Sequence, residues 1–183
     1  MVYFRHGTTQ PAGHHCCVDR LGQLATAEGC AVRLALMGGA ALVLGYDARH
    51  STQDVDALLL SPPEAYIIRA WSARIAQENG WSEDWLNDGA KAYLTTVSEG
   101  PVLFEAPGII ARQIAAEQLL AMKLCAWRDD VDIADATRLL EAFGKSVSRT
   151  AAWKRIEPFL VSGRELKAQY AFDDLWESLY GVD

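Results

Sequence analysis

Two aspartates, Asp54 and Asp56, stand one residue apart in the segment DVDALLL, whose other members are all apolar. Alternate residues of a β-strand point to the same face, so a strand here projects both carboxylates together. Neighbouring carboxylates repel each other unless a cation compensates them, and Mg²⁺ prefers such oxygen ligands. The alternative is a strand end at which both side chains face water. Taken alone, the pair favours that alternative.

Two glycines, Gly38 and Gly39, precede this strand by a short apolar segment and a polar loop. They follow AVRLALM, which alternates as a strand does, and precede AALVLGY, which we interpret as a short helix. A helix start offers unpaired backbone N–H groups and a favourable dipole to an anion, and glycine lets a phosphate approach closely. A tight turn explains one glycine well and two less well. Together with the aspartates, the glycines predict a site for a metal-bound nucleoside triphosphate.

The segment GGAALVLGYDARHSTQDVDALL resembles the signature of the polymerase-β-like nucleotidyltransferase superfamily, in which a glycine pair opens a helix and a strand carries Asp-x-Asp. Its details are similar to those of minimal nucleotidyltransferases related to the AbiEii-type toxins of bacterial toxin–antitoxin systems. The resemblance continues through WLNDGAKAYL and LLAMKLCAWRDDVDIADATRLL and covers residues 36–143.

This resemblance implies roles for individual residues. Gly38 and Gly39 would hold the triphosphate. Asp54 and Asp56 would bind two Mg²⁺ ions and act as catalytic residues. Lys123, on a later helix, would contact phosphate.

The chain departs from the superfamily pattern at two points. Gly39 stands where most members have a serine whose hydroxyl contacts phosphate. Active members also carry a third catalytic carboxylate on a later strand. We predict that Glu105, in VLFEA, fills this role and helps to deprotonate the acceptor, with Asp88 as the second candidate.

Lys123 also has an interpretation that is independent of the resemblance. On a helix its neighbours three and four residues away are apolar: Leu119, Leu120, Ala126 and Trp127. A lysine on such a face either extends to water or reaches a buried anion. Both interpretations stay open, and the resemblance favours a phosphate.

Two residues of the polar loop before the aspartates are further candidates for nucleotide binding, namely Arg49 and Thr52. A guanidinium suits a phosphate, although Arg49 could equally pair with Asp47 or another surface acid.

Asp132 and Asp135 lie three residues apart on the helix that follows Lys123. The ordinary expectation is that Asp135 pairs with Arg138 on the same helix surface. The alternative is that one of the two aspartates is a partner of Lys123 or Arg128.

Composition describes a chain that can build a sizeable core. Of its 183 residues 50% are apolar and 22% are charged, and the net charge is −7. These values argue against disorder and against a protein coated for non-specific nucleic-acid binding. We expect a soluble, cytoplasmic protein, because we find neither a secretion leader nor an apolar run of membrane-spanning length. In the run HHCC near the start, the possible metal ligands are adjacent in sequence, which is atypical of zinc sites. We interpret the run as part of a loosely ordered terminus in a reducing cytoplasm.

Basic residues concentrate between Lys145 and Lys167, where six of them accompany only two acids. Such a segment is usually a solvated helix face, and a surface for an RNA backbone is the alternative.

The order of predicted elements indicates an α+β fold, with a small mixed sheet followed by a helical C-terminal bundle. We expect a weakly ordered segment 1–17, a nucleotidyltransferase-like core 18–107 and a helical region 108–183. Strands are predicted at 31–37, 54–60, 91–97 and 101–106. Helices are predicted at 18–28, between the SPP segment and Asn79, and from 108 onward, where the first helix runs unbroken to Trp127.

These observations predict a Mg²⁺-dependent nucleotidyltransferase that moves a nucleotidyl group from an NTP to an acceptor hydroxyl. By analogy the acceptor is a tRNA end or a protein, and the partner is a cognate antitoxin. One alternative is a binding or regulatory module that keeps the fold without the chemistry. Another is a phosphohydrolase that uses the same two carboxylates.

Overall fold

The computed structural model describes residues 17–46, 52, 54–61, 63–128 and 130–181. It divides into two compact units, the first formed by Met1–Ala90 with Pro101–Gln113 and the second by Lys91–Gly100 with Ile114–Asp183. The HHCC histidines, Cys16 and Arg49 lie outside the described residues.

The first unit is a mixed sheet with helices. In chain order its elements are helix α1 Cys17–Ala27, strand β1 Val32–Met37, helix α2 Gly38–Tyr46, strand β2 Val55–Leu59, helix α3 Ala65–Asn79, strand β3 Leu86–Asn87, strand β4 Val102–Ala106 and strand β5 Ile109–Gln113. The strand order is β3-β2-β1-β5-β4. β1 runs antiparallel to β2 and parallel to β5, while β3 is parallel to β2 and β4 is antiparallel to β5.

The centre of the sheet forms the core of this unit. Val32, Leu34 and Leu36 alternate along β1 and are fully buried or nearly so. Helix α1 packs against β5 at Gly22, where a Cβ atom would collide with Ile109. The close approach of helix and strand therefore requires glycine at this position.

Helix α3 anchors the segment that leads into the edge strand β3. Its Ile68 and Ile75 are buried. Behind it, the indole Nε1 of buried Trp85 donates to the carbonyl of Ser72 at 2.9 Å. This bond holds a short 3₁₀ helix, Glu83–Trp85, against α3, so that Leu86–Asn87 can pair with β2.

The second unit is helical. It contains helices α4 Ala116–Ala126, α5 Asp130–Gly144, α6 Arg149–Ile156 and α7 Glu165–Tyr180. Helix α4 is its centre, because eight of its side chains are buried and α5, α6 and α7 all pack on it. A helix that is apolar on nearly every side is one that other elements surround.

The strand that we predicted at 91–97 is wrong. The structure has a 3₁₀ helix, Gly89–Tyr93, followed by irregular chain. Buried Gln118 replaces a strand partner, because its Oε1 accepts from the backbone N–H of Ser98 at 2.8 Å and its Nε2 donates to the carbonyl of Thr96 at 2.6 Å. A side chain 20 residues away therefore pairs the backbone groups that a ladder would have paired.

The unbroken helix predicted from 108 to Trp127 is also wrong in its first part. Residues Ile109–Gln113 form strand β5, which turns back from β4 through Pro107 and Gly108, with φ of 78° at the glycine. Ile109, Ala111 and Gln113 are buried in alternation. The boundary that we expected after residue 107 therefore lies within a β-hairpin.

The α+β class is confirmed, as are the mixed sheet and the C-terminal helical region. The helical character predicted from 108 onward is present after β5 as α4, α5, α6 with a following 3₁₀ turn, and α7. In the part of the chain that is described, no helix has the length and apolar character to cross a membrane.

Candidate functional site

The chain passes from β1 directly into α2 at Gly38. This residue has φ of 58°, a left-handed conformation that residues with a Cβ atom rarely adopt. A Cβ atom here would also collide with the carboxylate of Asp56, which lies against the glycine. Two separate constraints thus require glycine at the start of α2, and they bring the predicted phosphate-binding end of the helix next to an acidic side chain.

The two aspartates lie where the predicted strand period places them. Val55 and Ala57 are buried, while Asp54 and Asp56 are half-buried and share the other side of the chain. Asp56 pairs in register with Met37, the last residue of β1. That pairing is what places its carboxylate beside Gly38.

The end of β3 and the turn after it, residues 87–90, hold both aspartates. The side-chain amide of Asn87 donates through Nδ2 to Oδ2 of Asp54 at 2.9 Å. The backbone N–H of Ala90 donates to Oδ1 of Asp56 at 3.2 Å. Oδ1 of Asn87 accepts from the N–H of Gly89 at 2.7 Å, which closes the turn between the two contacts.

Sequence reasoning missed the role of Asn87. The available signal was the run Asn-Asp-Gly after Trp85 and Leu86, since asparagine often closes a turn onto the backbone two residues later. That signal predicts the turn but not the contact with Asp54, which depends on the pairing of β3 with β2.

These residues fit a single magnesium ion. Asn87 bonds Oδ2 of Asp54, so Oδ1 of Asp54 is the atom of this side chain that it leaves for a cation, and Asp56 would add a second carboxylate. Mg²⁺ commonly takes one or two carboxylates and completes its shell with water and substrate phosphates. The start of α2 is the helix end whose backbone N–H groups a phosphate would need.

Glu105 does not join this site, which corrects our expectation for the third carboxylate. It pairs with Ile110, which pairs with Arg33, four residues before Met37. The strand order also puts two strands between β4 and β2. Strand geometry therefore separates Glu105 from Asp56 by roughly 14 Å across the sheet and roughly 13 Å along it.

Asp88 lies next to Asn87 and is exposed. Among the residues that the structure describes, no group of three or more His, Cys, Asp or Glu side chains is arranged to hold a metal ion. Asp88 therefore does not form a three-carboxylate cluster with Asp54 and Asp56. Thr52 is buried, with 6% of its surface exposed, and its contact with a nucleotide stays a prediction.

Lys123 reaches buried anions, and these anions belong to the chain itself. Its Nζ lies 2.8 Å from Oδ1 of Asp132 and 2.7 Å from Oδ2 of Asp135, both almost fully buried. The pair that we expected between Asp135 and Arg138 is wrong, since Arg138 pairs with Glu141 at 3.3 Å. A phosphate contact of Lys123 stays a prediction, and any such phosphate competes with two carboxylates.

Asp132 is the most strongly bonded member of this cluster. Burial by itself raises the pKa of its carboxyl group, but hydrogen bonds from Arg128 and Lys123 outweigh burial and lower that pKa from 3.8 to about 2. The Nε of Arg128 lies 2.9 Å from Oδ2. Asp132 is therefore ionised at neutral pH, and its bonds to Lys123 join α4 to α5.

Most of the basic segment is engaged within the second unit. Arg149 pairs with Asp173 at 2.8 Å and with Glu177, and Arg155 pairs with Glu117 at 3.0 Å. Two further members cap the C-terminal end of α4 by donating to its carbonyls: Arg164 to Cys125 and Lys167 to Ala126. These contacts favour the helix-face interpretation over an RNA surface.

The chain matches no protein-family model, and comparison with curated proteins and with solved structures likewise finds no match.

Proposed function

We propose that this chain is a Mg²⁺-dependent nucleotidyltransferase that moves a nucleotidyl group from an NTP to an acceptor hydroxyl. The observation that supports it is the position of the Asp56 carboxylate against Gly38, at the start of α2, with Asp54 on the same side of the strand. An anion-binding helix end beside two cation-binding carboxylates suits a metal-bound triphosphate.

In this proposal the backbone N–H groups at the start of α2 bind the phosphates. Asp54 and Asp56 hold one Mg²⁺ ion, which when bound supplies charge neutralisation at the phosphates. The acceptor oxygen attacks the α-phosphorus, and the bond from that phosphorus to the bridging oxygen breaks and releases pyrophosphate. Strand order keeps Glu105 away from the aspartates, so in this proposal the hydroxyl proton would leave to solvent and not to Glu105.

We propose one ion at this site, and the expected second ion stays a prediction. A second ion would need a further carboxylate, and among the described residues no group of three or more His, Cys, Asp or Glu side chains is arranged to hold a metal. The acceptor, a tRNA end or a protein hydroxyl, and a cognate antitoxin partner are further parts of the proposal that rest on the family resemblance.

The same observation favours a second candidate function, a nucleotide-binding module without transfer activity. A site with two carboxylates can bind a metal-bound triphosphate and yet lack the group that activates the acceptor. The module and the enzyme share nucleotide binding and differ in pyrophosphate release.

Thermal unfolding with each of the four NTPs and Mg²⁺ tests the shared step. A ligand at a hundred times its Kd stabilises the folded state by about 2.7 kcal/mol, which for a chain of this size raises Tm by about 5 °C. We expect that rise in the wild type and its loss in the double variant Asp54→Ala, Asp56→Ala. A matched control, Glu165→Ala with Asp174→Ala, removes the same charge from exposed positions on α7 and keeps the rise.

Release of pyrophosphate from an NTP in the presence of total RNA or protein then separates the candidates. Release that needs Asp54 and Asp56 supports the transferase, and nucleotide binding without release supports the module. No Tm rise with any NTP, in a folded protein, contradicts both.

A further inference from the structure

We propose that Asn87 is a positioning residue that orients the carboxylate of Asp54 for the cation. The inference rests on the proposed function of the same site and adds to it a residue that neither metal nor nucleotide touches. It depends on three hydrogen bonds at Asn87 and on the strand pairing that places this residue.

The orientation of the Asn87 amide is determined by its partners. On one side the backbone N–H of Gly89 lies 2.7 Å away and can only donate, so the atom facing it must be the carbonyl oxygen, Oδ1. On the other side Nδ2 faces two groups that can only accept, Oδ2 of Asp54 at 2.9 Å and the carbonyl of Asp84 at 3.2 Å. The reversed amide would leave all three contacts without a proton.

The backbone of Asn87 is held as firmly as its side chain. Asn87 pairs in register with Asp56, so both aspartates are tied to one residue of β3, one through backbone pairing and one through a side chain. The buried indole of Trp85, bonded to Ser72, anchors the chain two residues earlier. A donor on a rigid strand can fix the rotation of a carboxylate more closely than a donor on a loop can.

The hydrogen bond from Asn87 makes the two carboxylate oxygens of Asp54 different. Asn87 occupies Oδ2, so Oδ1 is the oxygen presented to a cation. Residues that orient metal ligands in this way typically change metal affinity by 10- to 100-fold when they are removed. The turn-closing bond and the orienting bond use different atoms of Asn87, so substitution can separate them.

Two variants of Asn87 separate these bonds, and a third variant is the control. Asn87→Ala removes both bonds. Asn87→Asp keeps an oxygen for the N–H of Gly89 but places a third carboxylate against Asp54, which a cation must then compensate. Asn79→Ala is the matched control, since the Asn79 amide donates to the carbonyl of Ile75 at 2.8 Å at the end of α3 and has no role at the aspartates.

The experiment measures Mn²⁺ binding by electron paramagnetic resonance and Tm with and without saturating Mn²⁺. We expect Asn87→Ala to weaken Mn²⁺ affinity about 10-fold, and Asn79→Ala to leave it unchanged. For Asn87→Asp we expect a lower Tm without metal and a larger Mn²⁺-induced rise in Tm than the wild type shows. A residue that only closed the turn would change Tm equally with and without Mn²⁺.

Wild-type affinity in Asn87→Ala, or a Mn²⁺-induced rise in Asn87→Asp no larger than that of the wild type, overturns the role of Asn87 while the metal site stands. If Asn87→Ala does not fold, Asn87→Asp decides alone. Absence of Mn²⁺ binding in the wild type, or binding that survives Asp54→Ala with Asp56→Ala, overturns the proposed site and this inference with it.

Discussion

Two pairs of closely spaced aspartates, one in each unit, are held in opposite ways. On α5, Asp132 and Asp135 are almost fully buried and both pair with the ammonium group of Lys123. At the start of β2, Asp54 and Asp56 are half-buried and accept hydrogen bonds from amides, the side chain of Asn87 and the backbone of Ala90.

The difference lies in where the compensating charge comes from. A buried carboxylate needs a cation and hydrogen bonds, and Lys123 and Arg128 supply both to Asp132 within the fold. Neutral amides orient a carboxylate without cancelling its charge, and among the described residues no cationic side chain pairs with Asp54. The pair on α5 is therefore a structural element, whereas Asp54 lacks such a partner among the described residues, which is why we propose a cation there.

The largest effect that tests this comparison is expected for Lys123→Met. Removing one partner from a buried ionic cluster leaves uncompensated charge and costs about 3–5 kcal/mol of unfolding free energy. Chemical denaturation measures it. The control Lys154→Met, on an exposed position of α6, should change stability by less than about 0.5 kcal/mol. A small loss in Lys123→Met would show that the α5 pair is not a structural element.

The second-largest effect is expected for Gly38→Ala. Left-handed backbone strain together with the collision with Asp56 should cost about 2–3 kcal/mol of unfolding free energy. Gly80→Ala is the matched control, because Gly80 has φ of 66° and open space around it. Its smaller loss isolates the strain, and the excess in Gly38→Ala measures the contact with Asp56. Equal losses in urea unfolding would mean that the glycine and the carboxylate are not in contact.

Acid should weaken the α5 pair in a defined range. Because the pKa of Asp132 falls from 3.8 to about 2 on folding, its contribution is complete above pH 4 and is lost as pH falls towards 2. The contribution is about 2 kcal/mol. Unfolding free energies measured from pH 5 to pH 2 should fall more steeply for the wild type than for Asp132→Asn. Parallel curves would contradict the lowered pKa.

The smallest effect is expected for Asp54→Asn without divalent ions. An asparagine here keeps an oxygen for the amide of Asn87 and relieves repulsion from Asp56, so stability should change by less than about 0.5 kcal/mol. Calorimetry without metal measures this change, and a titration with Mn²⁺ should show lost binding. A loss as large as that of Lys123→Met would erase the distinction between the two pairs.

The sequence alone was enough to predict features that depend on local periodicity. The 3.6-residue period predicted α3 and α5, and the two-residue period predicted half-buried Asp54 and Asp56 on either side of buried Val55. Glycine next to a strand end predicted the start of α2 to within two residues. Each of these signals lies within one element, so no distant residue had to be known.

Only the tertiary structure decided which residues meet. We predicted helix for the five residues of β5, and the structure has a strand there because β1 and β4 flank it and pair with it. Strand order moved Glu105 away from the aspartates, and strand register brought Asn87 to them. The neighbours of Lys123 on its own helix do not determine what its ammonium group binds. The packing of α5 against α4 places two carboxylates beside it. Pairing across the chain depends on register and packing, which no local pattern encodes.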